Sequence, residues 1–92
     1  SRETNAAMLH RMIDDCKKQG WEFLFLGADI DAEAAARSIG IESSRASNYV
    51  KDAQGVRVQY DSLNLAIKTM RGGAPLPENW KEKLNEDNKR AK

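Results

Sequence analysis

Two aspartates separated by one residue, Asp29 and Asp31, are the side chains whose type and spacing point most directly to chemistry. They follow the apolar run Trp21-Glu-Phe-Leu-Phe-Leu-Gly27, so they fall where a strand ends and an alanine-rich segment begins. Parallel sheets place ligands at the carboxyl ends of their strands, and two carboxylates there could hold Mg²⁺ through oxygen ligands and waters. Such a site would serve divalent-metal-dependent binding or phosphoryl transfer. The same positions suit a simpler task, in which one aspartate caps the following helix and its charge meets the positive end of the helix dipole. Capping is the expectation, and Asp29 and Asp31 stay as weak candidates for a metal site. No catalytic residue, resident metal or cofactor is assigned. Two negative charges also argue against a phosphate cradle here, and Gly27 alone is not a glycine-rich loop.

The other chemically capable side chains read as structural. His10 lies beside an apolar helix stripe with no Cys or second His at ligand spacing, and Cys16 continues that stripe as a buried thiol without a histidine to activate it. Ser43, Ser44 and Ser47, with Arg45, are loop residues that lack a base. Trp80 follows a proline-containing linker, where it either packs back on the domain or stands out as an anchor for a partner.

These residues need elements to hold them. Leu9, Met12, Ile13 and Cys16 recur at helical spacing, with Thr4 a candidate N-cap and Gly20 a stop. The run 21–27 reads as a strand buried on both faces, as in a parallel α/β sheet. A second helix follows with Ala32, Ala35, Ala36 and Ile39 on one face, ended by Gly40-Ile41. Tyr49-Val50 is a candidate short edge strand. The stretch from Val56 to Tyr60 alternates like a strand, yet Val56, Tyr60, Leu63, Ile67 and Met70 keep helical spacing as far as Gly72-Gly73, and length favours the helix. Residues 1–73 are therefore expected to form an α/β domain. Residues 74–84 make a linker and a short C-terminal helix, and 85–92 a disordered tail. The fold expected is a small α-β-α-(β)-α-α unit with a short parallel sheet covered by helices. Its stability should rest mainly on Leu9, Ile13, Phe23, Phe25 and Leu26.

Composition narrows the function. The chain has 92 residues, and 15 Lys and Arg against 14 Asp and Glu leave a formal net charge of +1. That balance supplies no electrostatic footprint for nucleic acid or an anionic membrane. A single cysteine excludes an internal disulfide and fits a cytoplasmic setting. No run approaches the about 20 apolar residues of a membrane helix. What remains is a protein partner or self-association, with no small-molecule substrate indicated. A bare edge on the central strand would favour self-association, or cover from residues 75–84.

Ser1-Arg-Glu before a helix, the segment Gly20-Trp-Glu-Phe-Leu-Phe-Leu-Gly-Ala-Asp-Ile-Asp-Ala32, the Gly40-Ile41 stop, and Arg71-Gly72 with Trp80 near the end together resemble the C-terminal half of von Willebrand factor A-like domains of bacterial and bacteriophage proteins. The resemblance implies a parallel sheet flanked by helices. In that family a divalent cation is held by an Asp-x-Ser-x-Ser motif, a later Thr, and an Asp in a Thr-Asp-Gly turn. None of these motifs occurs here, so no ligand residue carries over. The expected function is a non-enzymatic structural or protein-interaction module, a fragment or remnant of a phage or prophage protein of this type. Strand-Asp-x-Asp is also similar to the opening of haloacid dehalogenase-type phosphotransferases, but the Thr or Val after the second Asp and a downstream acidic pair are missing.

Overall fold

Successive side chains of a strand point to opposite faces, and residues 23–26 use that alternation to divide the core in two. The structure, a computed structural model, describes residues 2–91. Its elements are α1 (Arg2–Lys18), β1 (Phe25–Gly27), α2 (Ala32–Ser38), β2 (Ala46–Asn48), α3 (Ala53–Arg71) and α4 (Glu82–Arg90), with a 3₁₀ turn at Ser43–Arg45 before β2. The strands pair in parallel, Phe25 beside Ala46, Leu26 beside Ser47 and Gly27 beside Asn48. Phe23 and Phe25 pack on one face against Ile13, Ala36, Ile41 and Ala46. Leu24 and Leu26 pack on the other against Ala66, Trp80 and Leu84. The chain is thus a small α/β unit whose two-stranded parallel sheet lies between α1 and α2 on one side and α3 and α4 on the other.

Local signals set the helix ends. After α1 the Trp21 N–H donates to the Cys16 carbonyl and the Gly20 N–H to Lys17, with Gly20 at φ +94°, a left-handed stop open to glycine at little cost. Gly40 ends α2 in the same way, with Ile41 N–H donating to Ala36 and Ile41 folding back into the core. Asp52 caps α3 by accepting from the Gly55 N–H at 2.7 Å.

Several expectations are corrected. The helix α1 starts at Arg2, so Thr4 lies inside its first turn. The strand of the first run is three residues long, because its partner β2 is no longer, and Trp21 is 62% exposed. The second strand precedes Tyr49-Val50, although the Tyr49 N–H still donates to the Gly27 carbonyl and prolongs the ladder. Val56 to Tyr60 is helical. The segment expected as a tail is helical through Arg90, since Asp87 is buried and accepts from Gln54 Nε2 and Arg90, which pins α4 to the start of α3. The largest fully buried side chains are Trp80 and Leu84, whereas Leu9 is exposed. Stability therefore leans on the C-terminal segment, which closes one of the two cores.

Candidate functional site

At the carboxyl ends of the strands, the turn after Gly27 carries the two aspartates. Asp31 is the N-cap of α2, its Oδ1 accepting from the Ala34 N–H at 3.1 Å. Asn48, at the end of β2, fastens the same turn, since its Oδ1 accepts from the Ala32 N–H at 3.2 Å and its Nδ2 donates to the Ile30 carbonyl. The pattern of one side chain satisfying the first N–H and another the third is how a short helix loses its orphan donors. Asp29 adopts φ +60°, a left-handed conformation that Asp tolerates better than most residues.

A cleft of about 610 Å³ opens beside this turn, with Asp29, Asp31, Lys51, Asn85 and Lys89 among the residues that line it. Its lining thus carries two carboxylates and two lysines. Among the described residues no group of three or more His, Cys, Asp and Glu is arranged to hold a metal ion. One carboxylate of the pair, that of Asp31, is engaged as the cap of α2.

A charged network locks α4 to the start of α3. Arg90 donates to both oxygens of Asp52 at 2.9 and 3.1 Å and to both of Asp87 at 2.8 and 3.1 Å. The Arg90 guanidinium, helped by the Gly55 N–H, holds the Asp52 carboxyl below the usual carboxylate range. Arg90 and then Gln54 do the same for Asp87, and the two carboxylates raise Arg90 in return. This network is structural, for its donors and acceptors are spent on one another.

The sheet edges differ in kind. Because the Tyr49 N–H reaches the Gly27 carbonyl, the backbone groups of Phe25 and Gly27 turn toward β2, and those of Ala46 and Asn48 turn away from β1. The outward carbonyls of β2 are covered. Lys81 Nζ donates to the Ala46 carbonyl at 2.8 Å and to Ser43 at 3.0 Å, while Asn88 Nδ2 donates to the Asn48 carbonyl at 2.9 Å. Lys81 is itself held by Glu33 at 3.1 Å. By the same alternation Leu24 and Leu26 turn their N–H and C=O groups to the other edge. Among the described residues β1 has no strand on that side, and no turn, cap or side-chain hydrogen bond reaches those groups. The approach to β1 carries exposed Trp21, and α1 presents Met8, Leu9 and Met12 outward although they belong to or flank its apolar stripe.

The remaining sequence candidates fall elsewhere. Trp80 is 2% exposed and its Nε1 donates to the Ser44 carbonyl at 2.9 Å, so it anchors the fold and not a partner. The His10 ring lies over Gly40 and pairs with Asp14 at 3.1 Å. Cys16 is a half-buried free thiol, and Arg45 pairs with Glu22. Sequence reasoning missed Lys81, Asn88 and Asn48, which are polar residues without periodicity whose roles exist only once the edge they cover is formed. Comparison with protein-family models, with curated proteins and with solved structures finds no match to this chain.

Proposed function

We propose that this chain is a non-enzymatic protein-interaction module, a fragment or remnant of a phage or prophage von Willebrand factor A-like domain, which works by offering the bare edge of β1 to another strand. The observation that supports it is the asymmetry of the sheet: Lys81 and Asn88 cover the outward carbonyls of β2, while among the described residues none covers Leu24 and Leu26. Native proteins protect edges that must not pair, and an edge left bare among apolar neighbours recruits a strand. The parallel pairing and the helices on both faces agree with the fold that the resemblance implies.

A titration of the ¹⁵N-labelled chain with Mg²⁺ and Mn²⁺ tests the non-enzymatic part. The amides of residues 28–32 should not move or broaden in a saturable way. A saturating response confined to that turn and abolished by Asp29→Ala would replace this reading with a metal-dependent site. As for ancestry, an upstream reading frame encoding a Thr-Asp-Gly turn and an Asp-x-Ser-x-Ser motif would identify the parent as a metal-dependent adhesion domain.

A further inference from the structure

We draw no further inference here: the strongest candidate, the pocket of about 430 Å³ between α3 and the segment 79–86, rests on a cluster of exposed carboxylates, Asp61, Glu82 and Glu86, and the buried Ser62 hydroxyl beside them is sealed from solvent and so marks no ligand.

Discussion

Replacing Trp80 by Ala should come close to unfolding the protein. The indole is 2% exposed, closes the core formed with Ala66, Leu84, Leu24 and Leu26, and donates to the Ser44 carbonyl at 2.9 Å. Truncating a core tryptophan costs about 3–5 kcal/mol, and leaving the Ser44 carbonyl without its donor adds about 1 kcal/mol. A chain of 92 residues has in total about 5–14 kcal/mol to lose. At about 4–8 °C per kcal/mol, the melting temperature should drop by about 20 °C or more. Thermal melts by far-ultraviolet circular dichroism at low micromolar concentration measure this without interference from association. Trp80→Phe, which keeps most of the ring and loses the hydrogen bond, should cost about 1–3 kcal/mol. Trp21→Ala, at an exposed position, should stay within about 0.5 kcal/mol under the same conditions. If Trp80→Ala melts within a few degrees of wild type, the C-terminal segment is not part of the core and the cover on β2 loses its anchor.

Three further outcomes test the packing. A Cβ at Gly55 would lie 1.8 Å from the Val50 carbonyl oxygen, which is backbone and has little room to retreat, so Gly55→Ala should cost about 3 kcal/mol or more in chemical denaturation, and a neutral result would displace the start of α3 from its place against the Val50 backbone. The Ser62 hydroxyl is buried with no hydrogen-bond partner among the described residues, so Ser62→Ala should stabilise by about 1 kcal/mol, and a loss of stability would reveal a partner for it. Arg90 holds Asp52 and Asp87 below the usual carboxylate range, so their stabilisation is complete above the unfolded value of about 4 and is lost as pH falls through the lower folded values; Arg90→Met should flatten the stability curve below about pH 4.

Sequence patterning revealed the order of the elements because each has a local signature: helical stripes, glycines before apolar residues at the ends of α1 and α2, and a run of alternating Phe and Leu. The choice of helix for the stretch beginning at Val56 rested on length, and the α3 N-cap at Asp52 could have been read from an Asp placed just before that pattern. Less legible were features that depend on distant contacts. Residues 85–90 have no apolar side chain, and their helix is held by Arg90, Asp87, Asp52 and Gln54, partners up to 38 positions apart. The stripe on α1 predicted burial for Leu9 and Met12, yet Ile13 is its one fully buried residue among those described, because the sheet beneath α1 is too narrow to cover the rest. At the candidate turn, the sequence narrowed the N-cap to Asp29 or Asp31, and the structure assigns it to Asp31. The bare edge of β1 was foreseeable from the shortage of strands, whereas its contrast with β2 was not. That contrast depends on two side-chain donors, Lys81 and Asn88, lying 35 and 40 positions beyond the carbonyls they cover.

Residue-resolved amide exchange in β1 of the dilute chain tests the central claim most directly. Phe25 and Gly27, turned toward β2, should exchange slowly. Leu24 and Leu26 should exchange quickly, which would identify the β1 edge as open to another strand. Equal protection of all four amides in the dilute chain would contradict the account, since the edge would already be covered.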